Sequence, residues 1–201
     1  MVSLKKFKKI LILSGGISEE RDISQISANH VYETIKNEAT TKILDVSDNA
    51  EQLLMNIQKF NPDVIFNCLH GYFGEDGQIQ SILNYLKIPY THSGVLTSAI
   101  LMNKVISKKL FQSLGIRSPE FFNEYNINNK KLKFPLIIKP VNGGSSYGLM
   151  KVNNKKSLSE YLNKKKIKKS KMLIEEFIFG RELTVGILEN KICGVMEIKF
   201  S

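Results

Sequence analysis

The sequence contains little arginine, although its formal net charge is +10. Arginine is the usual reader of nucleic-acid bases, and it occurs at only three positions: Arg21, Arg117 and Arg181. The positive charge is carried instead by lysine tracts such as residues 164–171, and no aromatic–basic pattern for binding single strands accompanies them. We therefore interpret the excess charge as a solvated face and expect no nucleic-acid partner.

Cysteine is also scarce. Cys68 and Cys193 both lie in apolar stretches and form no spaced framework, which favours a reducing cytoplasm. No apolar run approaches the length of a membrane span, and the apolar stretch at residues 10–13 is too short for a signal peptide. We expect a cytoplasmic protein that has no association with membranes.

Apolar periodicity in the first half of the chain alternates between strand and helix. Strands are predicted at residues 10–14, 41–46 and 64–69, and helices at residues 20–37, 50–60 and 78–86. In the first of these helices the spacing places five residues on the inner face: Ile23, Ile26, Ala28, Val31 and Ile35. This alternation predicts a parallel sheet with right-handed crossovers.

The pattern changes after Tyr90-Thr91-His92-Ser93-Gly94. Two short helices are predicted at residues 95–102 and 104–114, strands dominate from Pro119 onward, and the lysine-rich residues 155–171 predict a solvated helix. We therefore place a domain boundary near residue 95, between a domain of residues 1–95 and a second domain of residues 96–201.

A lysine followed by a glycine- and serine-rich turn stands out in the second domain. A buried strand at residues 134–138 leads into Lys139, and a loop at residues 142–148 follows before the return strand at 149–152. Adjacent glycines let backbone N–H groups converge on one point, and a lysine beside such a loop suits a polyphosphate. The alternative is a β-hairpin with a flexible tip and a surface lysine.

Two polar loops follow predicted strands of the first domain, where ligands of parallel sheets gather. Residues 13–24 combine a glycine turn with the acidic residues Glu19, Glu20 and Asp22 at a helix start. This loop suits a zwitterion such as an amino acid, although acidic residues also complement a helix dipole. In residues 67–77, His70 lies between a strand and a glycine turn, where both a functional and a structural role stay open.

Residues 172–185 predict a strand, an apolar break and a second strand. Phe177 and Ile178 could form a slot for a base, and Glu182 alternates with apolar neighbours, as expected of a carboxylate that accepts ribose hydroxyls. The alternative is a plain hairpin with solvent-facing acids.

Four segments of the chain resemble, in order, the bacterial D-alanine–D-alanine ligases of the ATP-grasp superfamily: LSGGISEERDIS, NCLHGYFGEDGQIQSILNYLKIPYTHSGVLTSAILMNK, FPLIIKPVNGGSSYGL and LIEEFIFGRELTV. The resemblance covers essentially the whole chain. It implies an α/β fold, with a Rossmann-like N-terminal parallel-sheet domain followed by the first part of an ATP-grasp α+β domain. One departure is Asn103, where the family more often has an aspartate before the lysine.

The resemblance also implies roles for individual residues. Glu20 corresponds to the glutamate that fixes the ammonium of the first D-alanine, His70 to the histidine beside it, and Ser145 to the serine that orients the catalytic loop; Glu20 and Ser145 are the candidate catalytic residues. The remaining candidates bind ATP. They are the phosphate lysines Lys104 and Lys139, the loop residues Gly144, Ser145 and Ser146, and the adenine–ribose segment Glu175, Phe177, Ile178 and Glu182.

The implied reaction joins two D-alanines for peptidoglycan synthesis, by way of an acyl phosphate made from ATP. A cytoplasmic homodimer is the expected assembly. The chain stops at Ser201, whereas the family's magnesium ligands and reacting-centre arginine belong to a later part. We therefore expect Mg²⁺ as a cofactor but no metal ligand here, and we predict that the isolated chain is inactive, as a fragment, truncated product or degenerate copy.

Two alternatives stay open. One is another ATP-grasp ligase, which makes D-alanyl-D-lactate or D-alanyl-D-serine. The other is a non-catalytic nucleotide-binding remnant.

Overall fold

A computed structural model describes residues 7–122, 132–163 and 172–199. The first half of the chain forms a three-stranded parallel sheet in the order β2-β1-β3. Its strands are β1 (Lys9–Gly15), β2 (Thr40–Val46) and β3 (Val64–Asn67), and its helices are α1 (Arg21–Ile35), α2 (Ala50–Phe60) and α3 (Gln78–Tyr85). The predicted parallel α/β arrangement is confirmed, because each strand is followed by a helix.

The central strand β1 is apolar on both faces, as expected of a strand covered on both sides. Leu11 and Leu13 pack into a core with α2 and α3, whereas Ile10 and Ile12 pack into a second core with Ala28 and Ile35 of α1. Successive side chains of a strand point to opposite faces, so one strand supplies both cores. This burial fixes the position of β1 and therefore of the loop that follows it.

The prediction for the inner face of α1 is partly wrong. Ala28 and Ile35 are buried and Val31 packs beside them, but Ile23 and Ile26 are both 53% exposed. The buried position in the first turn is held by Ser24. Ser24 and Ala28 lie one turn apart, and their small side chains allow α1 to approach the sheet closely.

The second half contains a four-stranded antiparallel sheet in the order β4-β7-β5-β6. Its strands are β4 (Phe121–Phe122), β5 (Leu136–Pro140), β6 (Met150–Val152) and β7 (Met172–Glu176). The helices α4 (Val95–Met102) and α5 (Lys104–Ser113) precede it, and α6 (Lys155–Asn163) packs its Leu158 into the core of this sheet. Residues 164–171 of the predicted lysine-rich helix lie outside the described residues.

The last two strands, β8 (Glu182–Leu188) and β9 (Lys191–Ile198), form a separate antiparallel hairpin. Every residue of both strands is exposed, including Leu183, Val185 and Val195. Cys193 is exposed as well, although it lies in an apolar stretch of the sequence, whereas Cys68 is buried. None of the described helices is long and apolar enough to cross a membrane.

Candidate functional site

The loop after β1 is held by an arginine. Arg21 donates to the carbonyls of Gly16 and Val46 at 2.9 and 3.1 Å, and its second guanidinium nitrogen contacts both carboxylate oxygens of Asp45. Gly15 has φ +78°, and a Cβ there would lie 2.0 Å from the Asp45 carboxylate. The glycine turn is therefore required by this arginine–aspartate pair, which fixes the start of α1.

Glu20 stands at the N-terminus of α1 but makes no side-chain cap hydrogen bond to the helix. Its carboxylate instead accepts a hydrogen bond from the hydroxyl of Ser145 in the glycine–serine loop. Gly71 and Gly144 flank the same carboxylate, since a Cβ at Gly71 would lie 2.9 Å from Oε2 and one at Gly144 would lie 3.6 Å from it. The two loops predicted to bind amino acid and phosphate thus meet at Glu20.

The loop after β3 is organised by Asn67, His70 and Glu75. Asn67 is buried and donates to the carbonyl of Gly74 at 2.9 Å. The Nδ1 atom of His70 lies 3.6 Å from Oε1 of Glu75, and its Nε2 lies 3.4 Å from the hydroxyl of Ser27. Glu75 also accepts from the backbone N–H of Gly71 at 2.8 Å. The part-buried ring of His70 therefore contacts both α1 and the loop.

The glycine–serine loop connects the antiparallel strands β5 and β6, so the hairpin geometry expected of this segment is correct. Lys104, the first residue of α5, donates from Nζ to the carbonyl of Gly143 at 2.5 Å. Asn103 caps α5, because its side chain accepts hydrogen bonds from the backbone N–H groups of Val105 and Ile106. An aspartate can cap a helix in the same way. The departure from the family at Asn103 therefore leaves the placement of Lys104 intact.

Lys139 is not a free surface lysine. Its Nζ contacts Oε1 of Glu175, and Nζ of Lys108 lies 2.8 Å from Oε2 of the same carboxylate. Burial, together with the nearby Lys139, lowers the pKa of Lys104. Two lysines therefore pair with one buried carboxylate, and Lys104 lies near them in the same cavity lining. This excess of positive charge favours an anion.

Two cavities adjoin these residues. One, of about 480 Å³, is lined by the residues Glu75, His92, Ser93, Ser98, Leu101, Met102, Lys104, Gly143 and Gly144. The other, of about 370 Å³, includes Lys104, Lys108, Lys139 and Glu175 in its lining. Lys104 and Leu101 line both cavities. A ligand that reached from one cavity into the other would pass the ammonium group of Lys104.

The predicted adenine–ribose segment does not form the plain hairpin considered above. β7 pairs with β4 and β5, and β8 pairs with β9 instead. Glu175 is buried, whereas Ile178 and Glu182 are exposed. Nζ of the exposed Lys151 lies 4.0 Å from the ring centroid of Phe177. Ser146 is exposed and has φ +57°.

Sequence reasoning missed two residues of this region. Lys108 was not singled out, although it follows Lys104 by four residues and so lies on the same face of a predicted helix. That spacing was the available signal. Asn67 carried no signal, because its partners Gly74 and His92 are separated from it by loops.

The chain combines a parallel α/β half with an antiparallel half. The antiparallel half carries the lysines and the glycine–serine loop, and this loop contacts Glu20 of the parallel half. This arrangement defines a protein of the ATP-grasp class. Two family models match the sequence: D-ala D-ala ligase N-terminus over residues 44–93 and D-ala D-ala ligase C-terminus over residues 110–201. The chain belongs to the D-alanine–D-alanine ligase family, which confirms the resemblance seen in the sequence.

Relatives of known sequence and structure agree with this placement. The D-alanine–D-alanine ligase of Pelagibacter ubique is 49% identical over 96% of this chain and 65% of its own length. D-alanine–D-alanine ligase B of Mesorhizobium japonicum is 41% identical over 96% of this chain and 64% of its own length. The crystal structure of the Bacillus anthracis ligase complexed with ATP has a TM-score of 0.79 and 32% identity, over 96% of this chain and 67% of that one. The chain therefore spans about two thirds of the length of these relatives.

Proposed function

We propose that this chain carries the amino-acid and nucleotide sites of an ATP-dependent ligase that joins two D-alanines for peptidoglycan synthesis. The proposal rests chiefly on the hydrogen bond from Ser145 to Glu20, which brings the two loops together. The Glu20 carboxylate, which would bind an ammonium group, then lies beside the glycine–serine loop, which would bind phosphate. This is what transfer of a phosphoryl group to the carboxylate of an amino acid requires.

The nucleotide would occupy the second cavity, and its phosphates would reach past Lys104 into the first cavity, which Gly143 and Gly144 line. Lys104 and Lys139 supply positive charge for its phosphates, and Gly143 and Gly144 let the loop backbone approach them closely. Glu175 contacts the ammonium group of Lys139 through Oε1, and its Oε2 is paired with Lys108 at 2.8 Å. This buried carboxylate therefore helps to hold Lys139 in place.

The amino acid would lie near Glu20 and His70. The Glu20 carboxylate would pair with its ammonium group, and this leaves the carboxylate of the amino acid free to face Lys104. ATP would phosphorylate that carboxylate, and the amine of a second D-alanine would attack the acyl phosphate and release phosphate. The residues named here contribute positioning and charge neutralisation.

The described residues do not include a cluster that could bind magnesium. Across residues 7–122, 132–163 and 172–199, no group of three His, Cys, Asp or Glu side chains is placed to hold a metal ion. The described residues therefore do not fit a magnesium site, and we assign no metal ligand to them.

The assembly and its location are further parts of the proposal. We propose a cytoplasmic homodimer with a domain division near residue 95, on the strength of the family resemblance. Sedimentation velocity of the purified chain tests the dimer, and a single monomeric species at micromolar concentration would contradict it.

Equilibrium binding to the purified chain tests the function. Calorimetric titration with ATP should give a dissociation constant below about 1 mM. D-alanine should bind in preference to L-alanine, as membership of the D-alanine–D-alanine ligase family implies. Absence of ATP binding at millimolar concentration would overturn the proposal, and binding of ATP without any D-alanine would leave only a nucleotide-binding remnant.

A further inference from the structure

His92 holds an unfavourable backbone conformation at the edge of the first cavity. Its φ is +108°, in the region that favours glycine. The flanking segment is held firmly, since Thr91 donates its N–H to the carbonyl of Ile65 at 3.1 Å and accepts from the N–H of Asn67 at 3.0 Å. Such strained residues persist only where the surroundings fix them, and they cluster at ligand sites.

The hydrogen bonds of Asn67 determine which nitrogen of His92 carries the proton. The Oδ1 atom of Asn67 accepts from the N–H of Leu69 at 3.1 Å, so Nδ2 must be the donor side of this amide. One N–H of Nδ2 donates to the carbonyl of Gly74 at 2.9 Å, and the other points to Nδ1 of His92 at 3.1 Å. Nδ1 is therefore an acceptor, and the neutral ring carries its proton on Nε2.

The charged form of His92 is disfavoured at this position. A proton on Nδ1 would face the N–H of Asn67, so two donors would oppose each other. His92 is exposed overall. Partial desolvation of its ring at the cavity edge nevertheless lowers the pKa of His92, with nearby Glu75 acting in the opposite direction. The ring is therefore a neutral donor at neutral pH.

We propose that His92 is a ligand-binding residue of the proposed reaction, whose Nε2–H donates to an anionic oxygen in the cavity that it shares with Lys104, Gly143 and Gly144. This inference rests on the proposed function, because that function supplies the two candidate anions. They are the carboxylate of the amino acid and a phosphate of the nucleotide. A neutral donor suits this position, since it binds an anion without adding to the charge of the neighbouring lysines.

Nitrogen-15 labelling of histidine gives the first test. The sequence has three histidines, so the imidazole signals can be assigned with single variants. At pH 7 without ligand, His92 should be neutral with its proton on Nε2. A proton on Nδ1, or a charged ring, would overturn the inference.

Ligand titration of the same sample gives the second test. D-alanine or ATP should shift the Nε2 signal of His92 and leave that of the exposed His30 unchanged; the ligand that shifts it identifies the anion. If the amides of Gly143 and Gly144 respond to ATP while His92 responds to neither ligand, the inference fails and the proposed function stands. If nothing responds to either ligand, the proposed function fails and this inference fails with it.

A variant separates binding from a merely structural role. His92→Gly relieves the backbone strain, so its melting temperature should equal or exceed that of the unmodified chain. Affinity for the identified ligand should nevertheless fall about tenfold, as expected for loss of one hydrogen bond to a charged group. His30→Gln is the control and should bind normally. A lowered melting temperature with unchanged affinity would show that His92 only supports the loop.

Discussion

The ammonium group of Lys108 lies 2.8 Å from Oε2 of Glu175, and the two side chains are only 8% and 7% exposed. Lys108 does not hydrogen-bond this oxygen in good geometry; it donates instead to the carbonyl of Pro119 at 2.9 Å. The contact is therefore mainly coulombic. It holds the carboxylate whose other oxygen contacts Lys139, so Lys108 indirectly positions a lysine of the proposed phosphate site.

Removal of Lys108 should destabilise the protein. Lys108→Met leaves a buried carboxylate with one cationic partner fewer, and breaking a buried pair in this way typically costs about 3 kcal/mol. Urea denaturation followed by circular dichroism measures the loss. Lys109→Met is the matched control, because Lys109 is the next residue of α5 and is exposed. Equal urea midpoints for the two variants would show that Lys108 does not stabilise the folded protein.

Lys139 should contribute to ATP binding far more than a remote surface lysine. Loss of one charge-assisted contact typically costs about 1.5–3 kcal/mol, so Lys139→Ala should weaken ATP binding roughly ten- to a hundredfold. Lys156→Ala, in the exposed part of α6, is the control. Lys151 is unsuitable as a control, since its ammonium lies over Phe177. Calorimetric titration with ATP decides, and equal affinities for both variants would show that Lys139 does not contact phosphate.

Glu20→Gln should weaken binding of the amino acid and leave binding of the nucleotide unchanged. The substitution keeps the size of the side chain but removes the charge that would face the ammonium group. D-alanine affinity should therefore fall roughly ten- to a hundredfold, while ATP affinity stays within about twofold. Calorimetric titration with each ligand measures both affinities, and Glu19→Gln, at the neighbouring exposed position, is the control. If Glu20 only stabilises the N-terminus of α1 through the helix dipole, the variant will have a lower melting temperature and will bind D-alanine normally.

The two cysteines should differ in reactivity toward thiol reagents. Burial raises the pKa of Cys68 from 9.0 to about 11, so at pH 8 its thiolate population is roughly a hundredfold below that of an unshifted thiol. Cys193 is exposed. Reaction with a chromogenic disulfide should therefore release one equivalent quickly and a second only when urea is added. Two fast equivalents in the native protein would contradict the buried environment of Cys68.

Local sequence signals predicted most of the elements. α2 spans the predicted residues 50–60, because Asn49 caps it by accepting from the N–H of Gln52 and Asn61 ends it with a left-handed conformation. Caps and apolar spacing are encoded within a few residues of the element that they define. The bounds of α4 also match the prediction, although Gly94 at its N-terminus makes no side-chain cap hydrogen bond.

Contacts between distant segments were much harder to predict. The hydrogen bond of Ser145 to Glu20 spans 125 positions, and only the family resemblance suggested that the two loops serve one site. The exposure of Ile23 depends on how closely α1 approaches the sheet, which the small side chains of Ser24 and Ala28 determine. The conformation of His92 arises from the pairing of Thr91 with β3. Each of these depends on packing that local spacing does not specify.

The hairpin of β8 and β9 has a consequence for the local opening of the molecule. Its residues are all exposed, and a two-stranded hairpin without a buried face is only marginally stable. The strands β5 and β7, by contrast, place Leu136, Ile138 and Ile174 in a buried core. The amides of the hairpin can therefore exchange with solvent through fraying of two strands, whereas those of β5 exchange only when the whole sheet opens. A single free energy of unfolding does not describe both parts of this chain.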